Sequence, residues 1–476
     1  MGGVPPWVLF LLAAHLVGFI TSIVALMETR TAEGTVAWLL SLNTVPWIAI
    51  PAWWLFGRSR LSGYVTARRG GDARLRDTLD LPSPELLAFR PNGVSTDRGV
   101  LVVEELARMP VLRGNAIEVL VDGEATYENL FAGIAEARHT LLVQFYIVRN
   151  DRAGARLRDA LIAKAREGVR VYFLYDGAGC YGLPDAWFEA LEDAGVEVNG
   201  FALRRGLTRR AHVNFRNHRK LVVVDGRLGW VGGFNIGEEY LGRDPEFGDW
   251  RDVHLWIEGP AVLGLKLSFV EDWYWTSGEI PQFDWTPCEA TDGSDVPVLL
   301  IPSGPADPRE TASLFFQHVI HSATRRIWIA TPYFVPDQAV MAAFQLARLK
   351  GVDVRILVAR RPDSLPVHLA SFTYFQPLLE AGVRIFRYDA GFLHSKIFVA
   401  DDRISGVGTL NLDNRSLRLN FEITALLMGS WAASEVEAVF ERDFEQSTEM
   451  APQDLEGHSL GFRVACRAAR LLSPIL

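Results

Sequence analysis

Two short segments of the chain carry residue types that could transfer a phosphoryl group. The first reads Asn217-His218-Arg219-Lys220, then Asp225-Gly226, and further on Gly232-Gly233-Phe234-Asn235. The second reads His394-Ser395-Lys396, then Asp401, and further on Gly408-Thr409-Leu410-Asn411. In an extended strand side chains i and i+2 point the same way, so each His-x-Lys aims an imidazole and an ammonium at one pocket. An imidazole can attack phosphorus or move a proton, and an ammonium can neutralise phosphoryl oxygens. With ten histidines and five lysines in 476 residues, random placement gives only about 0.1 such pairs. Two occur, each with an aspartate five residues after the lysine and a Gly-x-x-Asn beyond it, so two unrelated core histidines account poorly for the pattern.

The elements that must position these motifs repeat. Leu141 to Ile147 (LLVQFYI) precedes a helix-like stretch and then Gly168-Val-Arg-Val-Tyr-Phe-Leu. Ile327 to Phe334 (IWIATPYF) precedes a similar stretch and then Gly351-Val-Asp-Val-Arg-Ile-Leu. Ala194-Gly-Val-Glu-Val answers Ala381-Gly-Val-Arg-Ile, and each series ends in its His-x-Lys. Apolar runs alternating with amphipathic stretches predict α/β units whose strands are buried between helical layers. Two in tandem imply pseudo-twofold symmetry. Pro281 to Pro308, acidic and rich in Gly and Pro, is the expected boundary.

The paired motifs resemble the phospholipase D superfamily, over most of the chain after about Gly114. That resemblance implies two tandem phospholipase D-like α/β/α sandwich domains, 114–285 and 286–476, whose motifs meet in one active site. It implies that one imidazole becomes a phosphohistidine while the other protonates the departing alkoxide. By analogy His218 is the nucleophile and His394 the general acid/base, with the order left open by the symmetry. Lys220, Lys396, Asn235 and Asn411 are expected on the phosphoryl oxygens. Asp225 and Asp401 complete the motifs and are expected to pin turns rather than touch substrate. The family pattern has an acid on the strand after each motif, which points to Asp252 and Glu422 as carboxylates that orient the histidines. No Cys/His cluster, carboxylate cage or P-loop is present, so no metal or cofactor is expected.

Ahead of these domains, Trp7 to Met27 and Val36 to Phe56 are apolar and each long enough for a membrane helix. A cleaved signal peptide is the alternative for the first, but a basic leader is missing and a second apolar stretch follows at once. Residues 1–57 are therefore expected to be a two-helix transmembrane hairpin, although Pro46 and Pro51 leave a re-entrant hairpin open. Arg58, Arg60, Arg68 and Arg69 follow the second stretch, against Arg30 alone in the loop, which predicts a cytoplasmic catalytic region at a bacterial inner membrane. Residues 58–113 read as a linker with short elements.

Two membrane segments followed by two motif domains are similar to the bacterial cardiolipin synthase family. Tyr146-Ile147, Asp176-Gly-Ala-Gly, Thr331-Pro-Tyr-Phe334 and the closing Leu472-Ser-Pro-Ile-Leu476 carry that similarity. It implies phosphatidylglycerol as substrate, with one phosphatidyl group passed to a second lipid and glycerol released. Water must then be excluded, and Phe247, Trp250, Tyr333 and Phe334 are candidates for an aromatic mouth, with ordinary core packing the equal alternative. A net charge of −9 argues against nucleic acid as partner. Arg209, Arg210 and Arg216 could attract headgroups or simply be solvated. Three scattered cysteines suit a reduced compartment. Arg463, Arg467 and Arg470 recur at helical spacing beside Phe462, Cys466, Leu471 and Leu472, as an interfacial helix or as a tail packed on the domain. The rival functions are a hydrolytic phospholipase, a tethered nuclease and an inactive lipid-binding scaffold.

Overall fold

The computed structural model describes residues 5–28, 32–53, 62–79, 82–93, 96–201, 215–245 and 247–476. Arg30, Phe56, Arg58, Arg60, Arg209 and Arg210 lie outside the described residues. The chain forms two compact units, residues 1–70 with Ile475, and residues 71–474 with Leu476.

In the first unit the helix Pro6–Glu28 spans 23 residues, roughly 35 Å at the α-helical rise, which is long and apolar enough to cross a bilayer. The second apolar stretch departs from the expected single span. It forms Ala32–Thr44 and Pro46–Ala52, broken at Val45, whose φ of −133° is not helical. A residue before proline is driven out of the helical region, and proline itself is well suited to restart a helix at its first position. The helices meet where Gly18 lets the backbone at Leu42 approach closely. Asn43 Nδ2 donates to Ser22 Oγ at 2.8 Å beside this contact, and Ala25, Leu42, Ala49 and Trp53 fill the interface. Leu9, Phe10, Leu12, Leu16 and Phe19 face outward, as lipid-facing side chains would.

The second unit is built on one continuous mixed sheet. From one edge its first half runs Glu197–Phe201, Arg170–Asp176, Thr140–Phe145, Leu221–Val224, Leu228–Gly232, Val253–Glu258 and Leu112–Val121. The second half then repeats the order in reverse, as Val296–Ser303, Asn420–Met428, Ile404–Gly408, Ile397–Ala400, Arg326–Thr331, Asp353–Ala359 and Arg384–Tyr388. The short strand Ser447–Glu449 covers the far edge. The halves join where Leu112–Val121 pairs antiparallel with Val296–Ser303, so a pseudo-twofold axis passes through that seam. The two halves thus share a sheet within one compact unit. Within the expected boundary Pro281 to Pro308, residues 281–295 form no helix or strand, but Val296–Ser303 is the strand at the seam.

One apolar core lies across both halves of this sheet. It joins Leu142, Leu174 and Leu221 of the first half to Leu357, Ile397 and Val399 of the second, beneath the helices Val262–Ser277 and Ser430–Glu445. On the opposite face each half has its own core. The stretch expected to be a linker is partly structural. Arg98–Ala107 buries Val103, Leu106 and Ala107 in the second half's core, and Arg76 pairs with Glu271 at 2.8 Å.

Asp225 and Asp401 close the strands that begin at the two motifs. Each adopts a left-handed φ of 52°, which an aspartate tolerates better than most residues. The Asp225 carboxylate accepts from the backbone N–H groups of Arg138, His139 and Thr140. Asp401 accepts in the same way from Thr324, Arg325 and Arg326. Each therefore locks the start of the neighbouring strand, at the end of its own strand remote from the histidine. Asp401→Ala would orphan three N–H groups and should cost about 1–3 kcal/mol, read as a lowered Tm in detergent.

Candidate active site

Each motif is held in place by the other half of the chain. His218 N donates to Phe421 O at 2.9 Å, extending the pairing of Arg216–Asn217 with Asn420–Phe421. His394 N donates to Arg251 O at 2.7 Å, extending the pairing of Phe392–Leu393 with Trp250–Arg251. The residue that follows each of these partner strands is a carboxylate. Glu422 Oε2 stands 2.8 Å from His218 Nδ1, and Asp252 Oδ2 stands 2.6 Å from His394 Nδ1. Asp252 and Glu422 therefore reach the histidines, but crosswise, each carboxylate serving the motif of the opposite half. A carboxylate on Nδ1 claims the proton there and leaves the Nε2 lone pair for chemistry.

The lysines take matching positions. Lys220 Nζ donates to His218 O at 2.6 Å, and Lys396 Nζ donates to His394 O, as expected for side chains two residues apart on one strand face. Lys396 Nζ also lies 3.6 Å from Asp252 Oδ2. The charge of each lysine is felt across the seam, Lys396 by His218 and Lys220 by His394. Each motif therefore bears on the protonation of the other.

All these groups are buried, and burial dominates their protonation. It pulls His218 down to about 4, against the partial support of Glu422. Burial and the adjacent Lys396 pull His394 down to about 3. Lys396 is pulled by burial to about 8, and Lys220 falls well below the usual lysine range for the same reason. Burial alone would raise both carboxylates, yet His218 and Lys220 hold Glu422 below its ordinary value, and Lys396 and His394 do the same for Asp252. The substrate-free site therefore has neutral imidazoles beside two ionised carboxylates and two lysines whose charged form burial weakens.

The expected asparagines behave differently from that reading. Asn235 accepts from Ile147 N at 3.0 Å and donates to Tyr240 Oη at 3.1 Å, so its amide orders the loop instead of waiting for phosphate. Asn411 is buried with its Oδ1 acceptor unpartnered, and its Nδ2 makes no hydrogen bond among the described residues. Of the aromatic candidates, Trp250 and Tyr333 approach His394, with ring centroids 5.1 and 6.2 Å away. Phe247 packs on Trp250, and Phe334 is core, stacked on Phe375.

Several site residues escape sequence reasoning. Tyr146 lies edge-on to His218 at 4.9 Å, the counterpart of Tyr333 at His394. The repeat places both tyrosines just after equivalent strands, which is the signal that could have found them. Asp272, on the buried helix Val262–Ser277, accepts from Asn217, Gln144 and Arg219 and anchors the first motif from beneath. Thr409 Oγ1 donates to Glu422 Oε2 at 2.5 Å. Its counterpart is Gly233, where an added Cβ would fall 2.0 Å from Asp252 Oδ1. The shorter carboxylate thus needs an adjacent glycine, and the longer one is steadied by a hydroxyl.

A duplicated α/β sheet with two His-x-Lys motifs, each held by a carboxylate of the other half, defines a phospholipase D-like protein. The chain belongs to the cardiolipin synthase family, whose phospholipase D-like domain matches residues 130–248 and 316–444. Cardiolipin synthase A of Pseudomonas putida (strain W619) is 44% identical over 467 residues, covering 97% of each chain. Cardiolipin synthase A of Pseudomonas aeruginosa (strain UCBPP-PA14) is 44% identical over 475 residues, 98% of this chain and 96% of the relative. Among solved structures, a phosphatidylserine synthase of Haemophilus influenzae Rd KW20 shares the fold, with a TM-score of 0.63 at 15% identity, over 80% of this chain and 100% of that one.

Two outcomes follow from the geometry. Gly233→Thr should push Asp252 off His394 and lower kcat roughly 10²- to 10⁴-fold, and Asp252→Asn should match it without a steric change. Because Lys396 loses its proton at about 8, kcat/KM should fall as pH rises through that value, the side on which the phosphate loses its counter-charge.

Proposed function

We propose that the chain synthesises cardiolipin from two phosphatidylglycerol molecules, releasing glycerol, through a phosphohistidine on His218. The observation that carries this reading is the crossed pairing, His218 with Glu422 and His394 with Asp252, around one site. The full-length similarity to cardiolipin synthases supports the choice of lipid.

In the first step His218 Nε2 forms a bond to phosphorus as the bond from phosphorus to the glycerol oxygen breaks. His394 gives its Nε2 proton to that oxygen, and glycerol leaves. The lysines already face two ionised carboxylates in the empty site, so an arriving phosphodiester anion brings uncompensated charge. That charge favours proton uptake by His394, which is neutral without substrate. In the second step the hydroxyl of another phosphatidylglycerol attacks phosphorus, its proton passes to His394 Nε2, and the bond to His218 breaks. Lys220, Lys396 and Asn411 hold the equatorial oxygens throughout. One phosphodiester replaces another, so the exchange needs no external energy source.

We assign one histidine to each of the repeats 114–285 and 286–476, with Trp250, Phe247, Tyr146 and Tyr333 shielding the intermediate from water. The first apolar helix, with the second apolar stretch, anchors the enzyme in the bacterial inner membrane. The arginines after that stretch set the catalytic unit on the cytoplasmic side.

Purified protein in phosphatidylglycerol vesicles should yield cardiolipin and glycerol in equal amounts by mass spectrometry. Glycerol with phosphatidic acid instead would make it a hydrolase. His218→Ala and His394→Ala should each lower turnover by at least about 10³-fold with unchanged thermal unfolding.

A further inference from the structure

Outside the catalytic cleft, the helix Leu460–Arg470 has side chains that the fold leaves unused. One face is packed. Phe462 meets Phe372 of the helix Leu365–Glu380 edge-on at 5.1 Å and stacks on His458 at 4.1 Å, while Cys466 and Ala469 are buried beside it. The opposite face is apolar and bare, with Leu460, Val464 and Leu471 exposed by 75, 58 and 81%. At 100° per residue these three fall within a sector of about 40°.

Arg463, Arg467 and Arg470 run along the edge of that sector, all exposed. Elsewhere in the catalytic unit arginines are commonly mated, as in Arg90 with Glu104, Arg219 with Asp272, Arg251 with Asp443 and Arg384 with Glu449. The three on this helix have no ion-pair partner among the described residues, and Arg470 only leans over the Tyr374 ring at 5.5 Å. Together they line a cavity of about 320 Å³ between this helix and Leu365–Glu380. The one carboxylate on its wall, Glu380, already accepts from Gln376. The cavity is therefore cationic, and it opens beside exposed aliphatic side chains.

That combination selects among anionic partners. Nucleic acid would use the arginines but gain nothing from bare leucines, whereas a phospholipid surface offers phosphates and acyl chains side by side. We propose that Leu460–Arg470 is a second membrane contact, lying in the plane of an anionic bilayer. Its arginines hold lipid phosphates, one of them drawn into the cavity, and Leu460, Val464 and Leu471 enter the acyl boundary. Just beyond the helix Tyr374 Oη donates to Ser473 Oγ at 3.0 Å, and Arg415 N donates to Leu476 O at 2.7 Å, so the end of the chain is tied to the catalytic unit.

The test uses the full chain with Cys288→Ser, since the other two cysteines are buried, and an environment-sensitive dye on Val464→Cys. The protein is placed in phosphatidylcholine bilayers with or without phosphatidylserine, together with spin-labelled lipid. Phosphatidylserine keeps this test independent of the reaction proposed above. Strong quenching at 464 is expected with phosphatidylserine. It should weaken roughly fivefold for each arginine replaced by glutamine, while a dye on Leu349→Cys, more exposed still, stays unquenched. A dye at 464 no more quenched than at 349 would overturn the proposal. So would quenching that ignores both phosphatidylserine and the arginines.

Discussion

A carboxylate hydrogen-bonded to the Nδ1 of a histidine from the opposite half is the contact on which the site depends, and it occurs twice. Either half alone would present an imidazole free to rotate and to exchange tautomers. The seam between Leu112–Val121 and Val296–Ser303 removes that freedom. Once the two sheets are joined edge to edge, Asn420–Phe421 and Trp250–Arg251 reach across and deliver Glu422 and Asp252. The apolar core common to both halves therefore also sets the geometry of the site.

Burying six ionisable groups together would be costly if their charges did not compensate. Here they do. The carboxylates stay ionised because histidines and lysines face them, and the imidazoles stay neutral because burial outweighs the carboxylates' pull. A neutral imidazole is a competent nucleophile, so in the proposed reaction the burial that weakens it as a base in the empty site would ready it for attack. The second histidine needs the opposite state, and the substrate's own negative charge supplies the field that changes it.

Much of this was legible in the residues. His218, Lys220, His394 and Lys396 announce themselves because strand alternation fixes their common face and because lysine is rare in this chain. Asp225 and Asp401 act as turn locks, as their position after each strand suggests. The crossing of Asp252 and Glu422 was not legible, because which half a carboxylate serves depends on how two sheets dock, and no local pattern encodes that. Asn235 misleads for a related reason, since its partner Tyr240 lies in an insertion without a counterpart in the repeat. The break at Val45 was foreshadowed by Pro46, but whether a proline kinks or divides a helix is decided by the packing around it. The C-terminal helix is packed on the domain through Phe462 and bare through Val464.

The crossed carboxylates also bear on how the halves depend on each other. A contact in which each partner completes the other is what a self-complementary dimer of identical chains would make. Carried within one chain, it forms independently of protein concentration, and its two sides need not be identical. Glycine accordingly stands beside aspartate on one side, and threonine beside glutamate on the other.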